Sequence, residues 1–275
     1  MSQNLAVKYS PKVDEVFHLA SLTDEAMNQD YDWDGVNSIN VYGVGTAPMN
    51  TYARSGSNRY GTPQELDDTK TNYALTRDRA FTFTVDRRNR DESQQATEAG
   101  KALRRQIDVV VTPEIDIYRV AALNSAVTAN TAFVDTGATS AANAYSQFLD
   151  VNGRISNLLV PLTERIAFMT PAYYNFLKLS GFVVASEIAA GGRQTGDLGK
   201  VDNVTVKVIP STYMPGNTDL LITHPVAMTS PMVLTDYMVH ENAPGINGWL
   251  VEGRVVYDAF VLANKVNAVA AHKTS

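Results

Sequence analysis

The sequence predicts an α+β fold, and three stretches of the chain carry this prediction. In residues 79–86, apolar side chains alternate with threonines, which is typical of a strand with one buried face. In residues 91–123, apolar side chains recur every three or four positions, which predicts one long helix. Residues 46–76 are rich in Gly, Pro, Asn, Ser and Thr. A polar stretch of this length between strands is usually functional or disordered, and as an extended hairpin it could lie on a neighbouring copy.

The predicted long helix contains Pro113, after which the apolar pattern resumes. Proline removes a backbone hydrogen bond and clashes with the preceding turn, so we expect a kink near residues 109–112. At about 1.5 Å per residue, a helix of some thirty residues would span roughly 45 Å. That length is more typical of a spine than of a packed core helix.

The remaining elements are predicted from shorter patterns. Thr170 and Pro171 open a helix that runs through Ser180, because they supply an N-cap and a first-turn proline. Another helix is expected over residues 141–152, and short strands are expected at 165–169, 204–209, 220–223, 226–234 and 253–271.

Composition limits what the chain can do. Its 275 residues suffice for about two domains or one large one, and 44% apolar residues suffice for a core. The absence of cysteine excludes disulfides, thiolate metal sites and a cysteine nucleophile. A net charge of −6 disfavours nucleic-acid binding over the whole surface. No run of eighteen apolar residues, which a membrane-spanning helix would need, is present.

Charge is distributed unevenly along the chain. Residues 1–35 carry seven acids against two lysines, a net of −5, whereas residues 77–106 carry eight bases against five acids, a net of +3. An acidic arm and a basic segment in one chain indicate charge complementarity between copies. Ordinary surface scatter explains sums of this size equally well.

Catalytic and cofactor motifs are missing from the sequence. Gly199-Lys200 resembles part of a phosphate loop, but Val201 stands where Ser or Thr should follow, and Gln194 stands where the first glycine should be. The four histidines lack metal-site spacing, and no G-x-S-x-G elbow occurs. We therefore expect no cofactor, no metal and no enzymatic activity.

Two stretches of the chain stand out together, Leu75-Thr-Arg-Asp-Arg-Ala-Phe-Thr-Phe83 and Pro113-Glu-Ile-Asp-Ile-Tyr118, in order with residues 9–17, 34–35, 52–61, 85–86, 89, 103–106 and 256–262. In these residues the chain resembles the major capsid proteins of tailed bacteriophages, which share the HK-ninety-seven-like fold. These are packing residues, and the likeness is weaker over residues 124–245. The resemblance implies an N-terminal arm (1–35), an E-loop hairpin with flanking strands (36–86), a peripheral domain with a long spine helix (87–130 and 245–275) and an axial domain (131–244).

The resemblance also implies a structural function. Copies would form hexamers and pentamers that close an icosahedral capsid around double-stranded DNA, which they contact non-specifically. We expect a virion location, assembly in the host cytoplasm, and a portal as a partner. Because the chain begins almost directly with the arm, we expect either a separate scaffolding protein as a further partner or a sequence that is already mature. The predicted contacts between copies involve Asp14, Glu15, Arg54, Arg59, Tyr60, Lys70, Arg87, Arg88 and Arg90.

One lysine has a further possible role under this resemblance. Some members of the family crosslink a lysine to an asparagine of a neighbour, and Lys70 is the only lysine between residues 13 and 100.

Three other functions stay open at this point. An encapsulin-type nanocompartment would have the same fold but would package a cargo protein. A hydrolase using paired carboxylates is disfavoured by the absence of a motif. A phage tail-tube or connector protein would form rings without closed shells.

Overall fold

The computed structural model of the protein describes residues 21–28, 31, 38–63, 65–88, 99–180, 199–241 and 243–274. Its helices are α1 (Ala99–Gln106), α2 (Thr112–Thr128), α3 (Ala144–Asn157) and α4 (Pro171–Leu179). Its strands are β1 (Ser38–Val44), β2 (Asp68–Ala74), β3 (Arg77–Asp86), β4 (Val134–Thr136), β5 (Ile166–Met169), β6 (Lys200–Val201), β7 (Val204–Val208), β8 (Thr218–Thr223), β9 (Met228–Thr229), β10 (Met232–Glu241), β11 (Gly248–Tyr257), β12 (Phe260–Val261) and β13 (Val269–Lys273). This mixture confirms the α+β class.

Strands β1 and β2 form an antiparallel hairpin, in a register that pairs Ser38 with Ala74 and Val44 with Asp68. We call residues 38–74 the hairpin. Strand β2 lies within the polar stretch 46–76, which was expected to be functional, disordered or an extended hairpin, and no strand was predicted inside it. Asp, Lys and Asn have low strand propensity, and here the strand forms by pairing with β1.

A three-stranded antiparallel sheet, in the order β10-β11-β3, continues directly from the hairpin. The alternating strand predicted at 79–86 is confirmed as β3. The strand predicted at 226–234 is different, because it divides into a short 3-10 turn, β9 and the start of β10. The stretch 253–271 likewise divides, because a 3-10 turn at Ala263–Ala268 separates β12 from β13.

The predicted spine helix is interrupted where the proline indicated. Between α1 and α2, residues Ile107–Val111 form a π-helical turn. Pro113 has no N–H to donate to the carbonyl of Val109, and its ring crowds that turn, so the regular helical ladder widens just before it. The helix runs on to Thr128, beyond the predicted end at residue 123. Residues 91–98 of the prediction lie outside the described residues.

The larger core surrounds a six-stranded sheet in the order β4-β13-β8-β5-β7-β6. Helices α2, α3 and α4 pack on it through fully buried side chains such as Leu123, Phe148 and Leu177. The predicted helix at 141–152 and the predicted strands at 165–169, 204–209 and 220–223 are confirmed with shifted ends. The Thr170 hydroxyl accepts a hydrogen bond from the Tyr173 amide and caps α4, as expected.

The strands of residues 245–275 are shared between the sheets. β11 is the central strand of the three-stranded sheet, whereas β13 lies between β4 and β8 in the six-stranded sheet. β10, from the predicted 131–244 domain, belongs to the three-stranded sheet. The division into domains stays a prediction, and these strand positions bear on where its boundaries should be drawn.

Tyr257 joins the three-stranded sheet to α2. It is only 2% exposed, its hydroxyl donates to Glu114 Oε1 at 3.0 Å, and its ring meets that of Tyr118 edge-on at 5.7 Å. Glu114 also accepts from Arg79 Nε at 2.8 Å. Burial, followed by the hydrogen bond to Glu114, raises the pKa of Tyr257 to about 12.

The raised pKa predicts a loss of stability in alkali. The unfolded chain loses the Tyr257 proton near pH 10 while the folded chain holds it, so this contribution is full below about pH 10 and is lost as pH rises towards 12. Tyr257→Phe should therefore show a shallower fall in the free energy of unfolding above pH 10, measured by urea titration. Tyr60→Phe is the matched control because Tyr60 is 83% exposed, and its free energy of unfolding should fall with pH as steeply as that of the wild type. Equal slopes in all three proteins would contradict the assignment.

Candidate assembly surfaces

The hairpin has two different faces. One face carries Ile39, Val41 and Tyr73, which are half-buried, and the Tyr73 ring lies 5.4 Å from that of Phe260. The Tyr73 hydroxyl accepts a hydrogen bond from the Ala263 amide at 2.9 Å. The opposite face is exposed and carries Asn40, Tyr42, Val44, Lys70 and Asn72. The hairpin is thus seated on the subunit by one face and presents the other to solvent.

Gly43 shows how closely the seated face approaches residues 263–265. A Cβ atom at this position would lie 2.3 Å from Asn264 Nδ2 and 2.7 Å from Thr69 Oγ1. A side chain here would force the side chains of Asn264 and Thr69 to move.

The hairpin tip (residues 50–61) has internal order of its own. The Ala53 amide donates to the Arg59 carbonyl at 2.9 Å, and the rings of Tyr52 and Tyr60 meet edge-on at 5.0 Å. The Arg59 side chain donates to the Gly56 carbonyl at 3.2 Å. The tip contains two arginines, Arg54 and Arg59, and no acid. It is therefore a shaped, cationic and fully exposed element.

A buried carboxylate holds the base of the hairpin. Asp258 is 2% exposed and accepts from both the amide and the hydroxyl of Thr76 at 2.8 Å. Its other oxygen accepts from the Tyr118 hydroxyl at 2.7 Å and from the Ala259 amide at 2.8 Å. Burial, and then the bond to Asp258, raises the pKa of Tyr118. Thr76 joins β2 to β3, so Asp258 fixes the point where the hairpin leaves the sheet.

A second buried carboxylate holds residues 21–28, which we call the N-terminal anchor. Asp116 is 2% exposed and accepts from the Ser21 hydroxyl at 2.9 Å, the Leu22 amide at 2.9 Å and the Thr23 hydroxyl at 2.6 Å. Arg119, 5% exposed, bonds Asp24 and lies 3.9 Å from Asp116.

Backbone and apolar contacts complete the N-terminal anchor. Ala26 and Met27 are buried in the main core, and the Asn28 amide donates to the Met228 carbonyl at 2.7 Å. Residues 21–28, which precede the hairpin in the chain, are therefore fixed on α2 and β9.

The face of the three-stranded sheet that is turned away from the helices carries a groove of about 390 Å³. Asp236, Met238, Thr82 and Glu252 line it, together with Arg254, which is bound to Asp78 by two hydrogen bonds of 2.9 and 2.5 Å. With Asp78, the groove surface has three carboxylates against one arginine. It is an open and mainly acidic surface.

The structure describes six of the nine predicted contact residues. Arg54, Arg59 and Tyr60 lie together on the hairpin tip, and Lys70 lies on the exposed face with its ammonium 5.8 Å from the Tyr42 ring centroid. Asp14, Glu15 and Arg90 lie outside the described residues. Contacts between copies at all nine stay a prediction.

Two basic residues lie at the opposite end of β3 from the hairpin. The guanidinium of Arg87 lies 5.7 Å from the Trp249 ring centroid, and the Arg88 amide donates to Asp86 Oδ1 at 2.9 Å. The ten residues of β3 separate this end from the hairpin base by about 33 Å. The two basic groups therefore belong to different surfaces.

Sequence reasoning missed the buried charges that hold the N-terminal anchor and the hairpin base, namely Asp116, Arg119 and Asp258. A signal was present, because Asp258 interrupts the apolar run 255–262, and Asp116 and Arg119 stand three residues apart beside the apolar positions of a helix. Charged residues at such positions are rarely buried unless they are paired.

The sequence also gave no indication of a buried histidine network. His272 is 0% exposed, its Nδ1 lies 2.8 Å from Asp135 Oδ2, and its Nε2 lies 3.1 Å from Thr139 Oγ1. Asp135 also accepts from Arg154 at 3.0 Å. The order acid, imidazole, hydroxyl is that of a nucleophile relay. These residues do not line the sheet groove, nor a smaller cavity beside α2, nor another beside the hairpin. Asp135 lies on β4 and His272 on β13, so the network joins these two strands.

In the part of the chain that the structure describes, no group of three or more His, Asp and Glu side chains is arranged to hold a metal ion. No described helix combines the length and apolar character that crossing a membrane requires. Residues 191–198 of the glycine-rich loop lie outside the described residues.

Comparison with solved structures finds matches along almost the whole chain. A structure from Mycobacterium phage Che8 has a TM-score of 0.75 at 15% identity, covering 99% of this chain and 98% of that one. The capsid structure of cyanophage P-SCSP1u has a TM-score of 0.78 at 12% identity, covering 99% and 93%. The mature capsid of bacteriophage PhiM1 has a TM-score of 0.75 at 13% identity, covering 99% and 92%.

No family model matches the sequence, and no curated protein matches it. At identities of 12–15%, the likeness to the solved structures shows the fold. The chain has the fold found in phage capsid structures, and the resemblance to tailed-phage major capsid proteins is confirmed at that level.

Proposed function

We propose that this protein is a structural subunit that assembles into hexamers and pentamers and closes an icosahedral phage capsid around double-stranded DNA. The observation that carries the proposal is the match to phage capsid structures over 99% of this chain and more than nine-tenths of the others. The match includes the hairpin and the N-terminal residues as well as the packed core. The work of such a protein is association, so we propose no catalysis.

In this proposal the hairpin is the E-loop, and residues 1–35 are the N-terminal arm. The anchor at residues 21–28 holds the arm to its own subunit, and the residues before the anchor reach a neighbour. The three-stranded sheet with α1 and α2 is the peripheral domain. The six-stranded sheet with α3 and α4 is the axial domain, which would converge on the capsomer axis. The sheet positions support a change to the boundaries, with β10 assigned to the peripheral domain and β13 to the axial domain.

The charges of two exposed surfaces support a specific contact between copies. The hairpin tip carries Arg54 and Arg59 without an acid, and the sheet groove carries Asp78, Asp236 and Glu252 against Arg254. We propose that the tip of one subunit lies on the groove of the next. Because the two surfaces differ, the contact is head-to-tail, and contacts of this kind close into rings.

The remaining partners follow from the same proposal. Arg87, Arg88 and Arg90 would pair with acidic groups of a neighbouring arm, such as Asp14 and Glu15. A scaffolding protein, a portal and non-specifically bound DNA are the further partners of a virion protein assembled in the host cytoplasm. Lys70 lies on the exposed hairpin face, where a neighbour could reach it.

Electron microscopy of the expressed protein tests the function directly. We expect closed icosahedral shells in negative stain, with DNA inside particles taken from infected cells. A cargo enzyme inside the shells would instead indicate a nanocompartment, and rings that never close would indicate a connector or tail-tube protein. A protein that stays monomeric in size-exclusion chromatography at high concentration would contradict the proposal.

Shortening the hairpin should separate folding from assembly. Replacing residues 46–66 by a two-residue Asn-Gly turn keeps β1 and β2 and removes the tip. Because none of the three core clusters of the described residues includes a tip residue, the variant should unfold at the wild-type temperature but form no stable shells. Differential scanning calorimetry and electron microscopy measure the two outcomes. Normal shells would contradict the role of the hairpin.

A charge exchange tests the contact between tip and groove. Arg54→Glu with Arg59→Glu should abolish shells, because it sets like charges against each other. Adding Asp236→Arg and Glu252→Arg should restore them, whereas Arg54→Lys with Arg59→Lys is the charge-preserving control. Particle yield measured by light scattering at low and high salt gives the readout. If the four-fold variant assembles no better than the double Glu variant, the tip binds elsewhere.

A further inference from the structure

One turn of α2 holds both the N-terminal anchor and the base of the hairpin. Asp116 and Arg119 bind residues 21–24, while Tyr118, between them in sequence, donates to the carboxylate of Asp258, which holds Thr76. The guanidinium of Arg77 lies 4.3 Å from the Tyr118 ring centroid. The two chain segments that flank the hairpin are therefore bound to adjacent side chains of the same helix.

A single serine connects the two sets of contacts. Arg119 Nε donates to the Ser230 hydroxyl at 2.9 Å, and that hydroxyl donates to the backbone carbonyl of Asp258 at 2.9 Å. The other side of the same guanidinium reaches the Thr23 hydroxyl at 3.1 Å. An unbroken path of hydrogen bonds thus runs from Thr23 through Arg119 and Ser230 to the residue that fixes the hairpin.

We propose that Arg119 and Ser230 are positioning residues that couple the N-terminal anchor to the hairpin base, so that loosening either segment loosens the other. This inference goes beyond the proposed function, because it concerns one subunit and holds whatever the subunit assembles into.

The physical reason is the cost of an incomplete buried network. Asp116, Arg119 and Asp258 are each at most 5% exposed. A buried donor or acceptor that loses its partner carries a desolvation cost larger than the net gain of an ordinary hydrogen bond. If the anchor detaches, Arg119 is left with an unsatisfied side and turns towards water, and Ser230 loses its donor. The Asp258 loop then becomes free to shift, and Thr76 shifts with it.

Amide hydrogen exchange in the full-length, unassembled chain tests the coupling. The readout is the protection factor of the Thr76 amide, which bonds the Asp258 carboxylate, measured against the amides of β5. Asp116→Asn weakens the anchor without touching the hairpin. It should lower protection at Thr76 by about tenfold, within the usual range of coupling between sites. In a Ser230→Ala background, Asp116→Asn should lower the protection factor of Thr76 less than about twofold, because the hydrogen bonds through Ser230 are already missing.

Two control variants remove similar groups elsewhere. Asp135→Asn replaces a carboxylate that accepts a hydrogen bond from Arg154. Ser125→Ala removes a hydroxyl of α2 that donates to the Ala121 carbonyl. Neither should change the ratio of protection at Thr76 to that in β5.

Two results would overturn the proposal. Asp116→Asn could lower Thr76 protection equally with and without Ser230, or it could leave Thr76 unchanged while the anchor amides exchange faster. If Asp116→Asn unfolds the whole chain, seen as parallel loss of protection in β5, Thr23→Ala replaces it. That change removes one hydroxyl from the anchor and is judged by the same comparison.

Discussion

The fold depends on buried polar side chains of α2, because they hold segments that the apolar core cannot hold. None of the described residues of the hairpin has a fully buried side chain, and a two-stranded hairpin is marginally stable alone. Of the N-terminal anchor, Ala26 and Met27 are buried in the core and Leu22 packs against it. Asp116 and Asp258 together accept seven hydrogen bonds, three from the anchor, two from Thr76 and two that hold Asp258 itself to Tyr118 and Ala259.

Such an arrangement fixes geometry more than it adds stability. Removing a charge from water costs several kcal/mol, and a buried pair recovers that cost only when its remaining donors and acceptors are satisfied. Here they are satisfied by hydroxyls and backbone amides of the segments being held. The network is therefore complete only when the anchor and Thr76 are in place, and their position is specified more sharply than apolar packing would specify it.

Arg165 illustrates the contrasting use of a buried charge. Its guanidinium, 0% exposed, donates to the carbonyls of Val160, Pro161 and Asn152, to the Asn152 amide oxygen and to Ser156. These oxygens lie near the carboxyl end of α3, where the helix dipole favours a cation. Burial lowers the pKa of Arg165, and Asp202, bonded to Asn152, partly offsets this effect. This arginine closes a helix end inside one domain and binds neither extension.

The sequence indicated the elements whose causes are local. Alternation in β3, the cap at Thr170 and the defect before Pro113 all depend on neighbouring residues, and all are present. The elements that the sequence did not resolve depend on distant partners. β2 forms because β1 lies beside it, and β13 joins the six-stranded sheet because β4 and β8 lie on either side. The arginines of the hairpin tip were among the predicted contact residues, whereas the acids of the sheet groove were not. The buried charges were not predicted either, since pairing over some ninety to 180 residues has no local pattern.

The two faces of the hairpin explain why a subunit of this kind would be stable alone and yet suited to association. One face is seated on residues 260–264 through Tyr73, so the strands keep their register without a neighbour. The other face leaves Tyr42 62% and Val44 70% exposed, which is apolar area available to a partner. If both faces were packed on the same chain, neither would be available to a partner. If neither face were packed, the hairpin would have to become ordered on contact, and that would consume much of the binding free energy. A seat on one side, with its base fixed by Asp258, orders the hairpin before any neighbour arrives, so that contact with a neighbour carries a smaller entropic cost.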